Sequence, residues 1–207
     1  MITRICGLEL TSAQKYLWER AQEEMEDHCY SDALFLAQCL LRSAPEFLEA
    51  RKLTRKIAIM MYEGKSFTVF EKIKRFLRCN IVRGTVVLLI KRKRLEKALL
   101  SLEYFLATAP FEQSANLLMA SVAKRWNPPL LPLALFALET ALKINQEKIE
   151  LHLEIARVAL LLDENKTPWN PERAIMAYQQ VLSLQPDHLE ARQGLKNACA
   201  FLSMRNI

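Results

Sequence analysis

Apolar residues recur at helical spacing in four similar stretches of this chain, and each stretch ends at a helix-breaking position. Within each stretch they stand at i, i+3, i+4 and i+7, the pattern of an amphipathic helix with one face toward a core. Proline disfavours helical geometry in the residue before it, so each helix is expected to end just before its break. The stretches are YSDALFLAQCLLRSAP, RLEKALLSLEYFLATAP, LPLALFALETALKINQ and PERAIMAYQQVLSLQP.

Three features align at fixed distances in these stretches. An alanine stands twelve residues before each break, where a neighbouring helix must approach closely, and a leucine stands four residues before it, where it fills the joint. Chance rarely aligns three columns four times, so we predict a helical repeat. The alanines are Ala33, Ala98, Ala134 and Ala174; the leucines are Leu41, Leu106, Leu142 and Leu182; the breaks are Pro45, Pro110, Gln146 in place of proline, and Pro186.

A second helix is expected after each break. The segments PEFLEAR, from Pro45 to Arg51, and PDHLEAR, from Pro186 to Arg192, are nearly identical. The chain would therefore alternate one helix before the break with one after it. No single pair has enough apolar surface to be stable alone, so neighbouring pairs must stack.

This arrangement resembles the tetratricopeptide repeat family in its bacterial-type form, a helix-turn-helix of roughly 34 residues with small residues at fixed places and a terminal proline. The resemblance covers most of the chain. It implies an all-α fold, a right-handed superhelix of about four helix pairs that forms one domain over residues 1–207. The matched positions are the four alanines, the residues that follow them (Leu34, Leu99, Leu135 and Ile175) and the three prolines.

The breaks are not evenly spaced. They are 65, 36 and 40 residues apart, so only the middle distance is close to the family period, and the excess must form loops or inserted helices. In the last excess, Asn170 is expected to cap the following helix and Pro171 to open it. Trp169 beside them is expected to cover the joint. The first excess is an insertion over residues 64–94.

The insertion carries most of the positive charge. It contains ten basic residues and one acidic residue, Glu71, for a net charge of +9; the whole chain carries +6, so the remainder carries −3. Its apolar residues share one helical face, which predicts a basic amphipathic helix, or two. That face comprises Phe67, Phe70, Ile73, Leu77, Ile81, Gly84 and Leu88. The basic surface comprises Lys72, Lys74, Arg75, Arg78, Arg83, Lys91, Arg92, Lys93 and Arg94.

An amphipathic helix of this kind has three interpretations. Its apolar stripe most often packs on its own protein, and that is the favoured one here. An anionic membrane surface is the first alternative, because it suits a bulky apolar face. Nucleic acid is disfavoured, because contact with duplex phosphates requires no stripe of phenylalanine.

Other features exclude several functional classes. The longest apolar runs fall far short of the roughly 20 residues of a membrane-spanning helix, and the N-terminal residues lack the apolar core of a secretory signal, so we expect a soluble cytoplasmic protein. Five cysteines without C-x-x-C spacing suit neither a disulfide framework nor a zinc site. The three histidines are far apart and lack metal-binding spacing. We therefore predict no catalytic residues, no metal, no cofactor and no enzyme activity.

The family resemblance implies a protein-protein interaction module or scaffold that holds a peptide or partner protein in a concave groove. Carried onto this chain, the family's groove columns fall at Lys52, Lys56, Ile59, Leu117, Ser121, Lys124, Leu153, Arg157, Gln193 and Asn197. Cations mixed with aliphatic and amide side chains favour an acidic, partly apolar ligand. The alternatives are a peripheral membrane-associated adaptor that uses the insertion, and a secretion chaperone of the type III class. Pairing of two chains through an exposed apolar face is also open.

Overall fold

The computed structural model describes residues 3–5, 8–62, 68–143, 145–162 and 167–205. Within these ranges a short antiparallel hairpin precedes ten helices, so the predicted all-α class is confirmed. The hairpin is β1 (Thr3–Ile5) and β2 (Leu8–Leu10). The helices are α1 (Ser12–Glu26), α2 (Tyr30–Ser43), α3 (Leu48–Tyr62), α4 (Val69–Lys91), α5 (Leu95–Leu106), α6 (Gln113–Lys124), α7 (Leu131–Leu142), α8 (Ile149–Ala159), α9 (Pro171–Leu184) and α10 (Leu189–Arg205).

The four aligned alanines occupy the same place in four helices. Each is the fourth residue of its helix, in α2, α5, α7 and α9, and each is fully buried. Its amide donates to the carbonyl of the residue just before the helix, which closes the first helical turn. The alanine column is therefore buried in all four helices, and the close approach of a neighbouring helix there stays a prediction.

The helices that follow the breaks are also in register. Each begins three residues after its break: α3 at Leu48, α6 at Gln113, α8 at Ile149 and α10 at Leu189. A side chain six residues after each break donates a hydrogen bond back to the carbonyl of the break residue. These bonds are Arg51 Nε to Pro45 (3.2 Å), Asn116 Nδ2 to Pro110 (3.2 Å), His152 Nε2 to Gln146 (2.7 Å) and Arg192 Nε to Pro186 (2.9 Å). The break residue lies before the second helix, so its carbonyl accepts no hydrogen bond from within that helix. This side-chain bond satisfies the carbonyl and connects each turn to its second helix.

The chain forms two compact units, residues 1–122 and residues 123–207. In the first, β2, α1, α2 and α3 share two apolar clusters, and Trp18 packs edge-on against Phe47 with ring centroids 5.1 Å apart. In the second, α8 packs on both α7 and α9, and α9 packs on α10. The single domain over residues 1–207 stays a prediction.

A buried polar network joins α3 and α5 in the first unit. Arg51 Nη1 lies 2.7 Å from Glu103 Oε2, and the Thr54 hydroxyl donates to the other carboxylate oxygen. One turn further along α3, Arg55 donates to the carbonyl of Pro110 and to Asn116. Burial lowers the pKa of the Arg55 guanidinium. The side chains of Arg51, Thr54 and Glu103 are buried with hydrogen-bond partners, as a stable core requires, and Arg55 takes part through Nη1.

The loop before α9 has the predicted chemistry. The side chain of Asn170 accepts a hydrogen bond from the amide of Arg173, and Pro171 is the first residue of α9. Trp169 is half-buried, and its amide donates to the carbonyl of Leu161. The predicted cap is confirmed.

The basic insertion contains one continuous helix, α4, of 23 residues. It begins with a capping box, in which Thr68 and Glu71 satisfy each other's backbone amides, and it packs against α5. Residues 64–67 of the predicted insertion, including Phe67 of the predicted apolar face, lie outside the described residues. In the chain, α4 separates α3 from the next helix of the repeat, which accounts for the 65-residue gap between the first two breaks.

Candidate interaction surfaces

The predicted groove positions on α3 differ in their surroundings. Lys52 and Lys56 are exposed, and Lys52 pairs with Glu49 at 2.7 Å on the same helix. Ile59 is half-buried and lines an open cleft. On α6, Leu117 and Ser121 are half-buried. Of these five positions, Ile59 is the one that lines this cleft.

An open cleft lies beside Ile59 in the first unit. Its volume is about 460 Å³, and it lies between the end of α3, the start of α4 and the turn from α5 to α6. The lining residues are Ile59, Tyr62, Arg75, Ala109, Pro110, Phe111 and Glu112. The guanidinium of Arg75 donates to the carbonyl of Thr108 (3.1 Å), which holds it at the wall. Helical spacing did not predict Phe111 and Pro110 here, because tertiary packing brings this turn to α3, where Arg55 donates to the carbonyl of Pro110.

In the second unit, the predicted groove cations are engaged by carboxylates. Lys124 pairs with Glu154, and Arg157 makes a two-pronged contact with Glu190, with Nη2 2.6 Å from Oε1 and 2.9 Å from Oε2. The hydrogen bond to Glu190 is the main reason that the pKa of Arg157 is raised. These pairs connect α8 to α10 and to the last residue of α6.

The remaining predicted positions of this unit divide into buried and exposed. Leu153 is buried, with 6% of its surface exposed, so it lies on the buried face of α8 and not in an open groove. Gln193 and Asn197 are exposed on α10. The engaged cations and the buried leucine together weaken the prediction of an acidic ligand, because three of the four predicted groove cations already have a carboxylate partner.

The outward face of α4 is apolar and exposed, which differs from the favoured prediction that this stripe packs on its own protein. Its exposed residues, with their exposed fractions, are Val69 (72%), Phe70 (75%), Ile73 (53%), Phe76 (67%), Leu77 (57%), Ile81 (69%), Val87 (39%) and Leu88 (47%). A run of large apolar side chains this long is uncommon on a protein surface. Helical spacing predicted which residues share the face, but it could not tell which face of the helix meets α5.

A narrower face of α4 meets the rest of the unit. Val86 is fully buried, while Arg75, Cys79 and Val82 are half-buried. Cys79 Sγ lies 3.3 Å from the hydroxyl of Ser114 at the start of α6. This side of the helix therefore meets the unit through one valine and several polar contacts, and most of the bulky apolar residues of α4 lie on the exposed side.

Basic residues lie on both sides of the outward face. Lys74 and Arg78 flank one side and Arg83 the other, and all three are exposed. The block Lys91 to Arg94 at the end of the helix is exposed as well. Glu71 is committed to the capping box, and its hydrogen bonds with Thr68 lower the pKa of its carboxyl.

Among the described residues, no group of three or more His, Cys, Asp or Glu side chains is placed so that it could hold a metal ion. The four described cysteines, Cys29, Cys39, Cys79 and Cys199, are free thiols. Within the same ranges, each helix is too short or too polar to cross a membrane.

No protein-family model matches the chain, and no curated protein sequence matches it. Among solved structures, the chain is similar to the crystal structure of MamA protein, with 16% identity and a TM-score of 0.41 over 95% of this chain and 86% of that one. It is also similar to MamA 41-end from Desulfovibrio magneticus RS-1, with 15% identity and a TM-score of 0.42 over 86% of this chain and 98% of that one.

Proposed function

We propose that this chain is a non-catalytic protein-interaction module that binds a peptide segment of a partner protein. The observation that carries the proposal is the cleft beside Ile59, which brings a predicted groove residue together with Tyr62, Pro110 and Phe111. Clefts that bind ligands are mostly apolar with a few placed polar groups, and this one has that character.

The lining favours a particular kind of peptide. The apolar floor suits one bulky apolar anchor of the ligand, since such anchors supply most of the binding energy at peptide interfaces. Arg75 on one wall offers guanidinium donors, and Glu112 offers carboxylate acceptors. Together they suit the backbone groups of an extended peptide, with no requirement for an acidic ligand.

Selection from a random peptide library against the full chain tests this proposal. Peptides recovered from the selection are titrated against each variant by fluorescence anisotropy. We expect Ile59→Glu to weaken binding at least tenfold, because it places a charge on the apolar floor, and Phe111→Ala to weaken it by a similar factor through lost contact area.

Met176→Ala on α9 is the matched control, because Met176 is an exposed apolar residue (58%) in the other unit. It should leave the affinity unchanged. Selected peptides that bind the Ile59→Glu and Phe111→Ala variants as tightly as the unsubstituted chain would overturn the assignment of this cleft. Circular dichroism of each variant checks that the helices are intact.

A further inference from the structure

We propose that α4 docks this protein on an anionic lipid surface, with its outward apolar face buried at the membrane interface. This role is separate from peptide binding in the cleft. The proposal rests on how α4 is rotated about its own axis: the face that carries the bulky apolar side chains is turned away from the rest of the unit.

The apolar face of α4 lies on the side of the helix opposite the buried side, which packs on the rest of the unit. Leu77 precedes the fully buried Val86 by nine residues, which is about two and a half turns, so the two side chains lie on opposite sides of the helix. Ile73, Phe70 and Ile81 surround Leu77 on the wheel, and each is more than half exposed. A flat surface that approaches α4 from outside therefore meets the apolar residues first.

The basic residues are placed where a membrane interface would use them. Lys74 and Arg78 border the apolar face on one side and Arg83 borders it on the other. In a helix that lies in the plane of a membrane, the apolar face enters the acyl boundary by about 5–10 Å, and long cationic side chains reach the headgroups. Exposed Lys91, Arg92, Lys93 and Arg94 extend the positive charge beyond the helix end.

Charge decides between a lipid surface and the other occupants of this face. α4 contains six basic residues and one acidic residue, so a second copy packed on it would bring one helix of net charge +5 against another. Such like charge at close range opposes association. In the described part of the chain, Lys74, Arg78 and Arg83 form no ion pair with a carboxylate. Anionic headgroups over an apolar layer complement both properties of the face, whereas nucleic acid complements the charge alone.

Co-sedimentation of the full chain with lipid vesicles tests the proposal. Vesicles of phosphatidylcholine alone are compared with vesicles that also contain phosphatidylglycerol. We expect binding to the anionic vesicles, weakened by added salt because screening shortens the reach of the charges. Neutralising Lys74, Arg78 and Arg83 to Gln should weaken binding on the order of 100-fold, at roughly fivefold for each cation near the surface.

A second variant separates the apolar contribution, since Phe70→Ser with Leu77→Ser should also reduce binding while leaving the charge unchanged. Both variants replace exposed residues, so the fold should persist. Two controls match them: Arg125, Lys143 and Lys196 to Gln changes the same net charge away from α4, and Phe35→Ser with Met176→Ser removes exposed apolar residues elsewhere. Both controls should bind vesicles normally.

Several results would overturn the proposal. Absence of binding to anionic vesicles, equal binding to neutral ones, or equal losses in the α4 variants and their controls would each remove the lipid surface as occupant. Sedimentation equilibrium is measured in parallel without lipid. A stable dimer that dissociates on Phe70→Ser with Leu77→Ser would assign the face to a second copy instead.

Discussion

Removing one partner of the Arg51–Glu103 ion pair should strongly destabilise the first unit. Both side chains are almost completely buried, with side-chain exposures of 0% and 3%, and their charged atoms are 2.7 Å apart. Truncating one partner leaves the other charged and buried, which costs about 3–5 kcal/mol. Arg51→Met additionally loses the hydrogen bonds to the carbonyl of Pro45, so its free energy of unfolding should fall by at least as much as that of Glu103→Leu.

The double variant identifies the origin of this cost. Arg51→Met with Glu103→Leu leaves no buried charge in the pair, so its loss should be smaller than the sum of the single losses by about 2–3 kcal/mol. Urea unfolding followed by circular dichroism measures each free energy. With Trp126 and Trp169 of the second unit replaced by Phe in every variant, the remaining fluorescence of Trp18 follows the first unit through its contact with Phe47.

The repeat itself supplies a matched control. Arg192 occupies the same position relative to its break and donates to Pro186 in the same way, but its side chain is 52% exposed and its partner Asp187 is 90% exposed. Arg192→Met should therefore cost about 1 kcal/mol or less. Equal losses for Arg51→Met and Arg192→Met, or strict additivity in the double variant, would refute the role assigned to burial of the pair.

Two further predictions concern local contacts, both measured by thermal or urea unfolding. Gly194→Ala should destabilise the second unit by about 1–3 kcal/mol, although alanine has the better helix propensity, because the added methyl would clash with the ring of Tyr178. Gly84→Ala, where nothing lies within 4 Å, should instead stabilise α4 by up to about 1 kcal/mol. Equal effects at the two glycines would contradict this contrast. Asn170→Ala should cost about 1 kcal/mol through loss of the cap on α9, Asn170→Asp should retain most of the stability, and a neutral Asn170→Ala would show that the cap is dispensable.

The regular part of the fold was predictable because its signals are local. Small residues, prolines and amphipathic spacing act within one helix or one turn, so they placed the alanine column, the breaks and the Asn170 cap correctly. The bond from the side chain six residues after each break was not predictable in the same way. The residue at this position is arginine in two repeats, asparagine in one and histidine in one. All of them can donate a hydrogen bond, but the residue type varies, so aligning the repeats does not reveal the position.

The ion pairs and the outward face of α4 depend on which helices are neighbours. Arg157 lies 33 residues from its partner Glu190, and sequence spacing contains no rule for such a distance. Likewise, helical periodicity groups Phe70 with Leu77 whether that face is covered or open. What covers a face is a property of the tertiary packing, so the sequence could not settle it.

The distribution of charge distinguishes the insertion from the repeat. In the repeat, Arg51, Lys124 and Arg157 are matched by carboxylates on other helices, so an anionic ligand that bound them would first have to displace those partners. In α4 the single acidic residue is used in the helix cap, and Lys74, Arg78 and Arg83 are exposed beside apolar side chains. An anionic ligand therefore gains most at α4, while the cleft beside Ile59 gains most from an apolar anchor. Two surfaces of different chemistry would let the chain bind an anionic surface and a peptide at the same time.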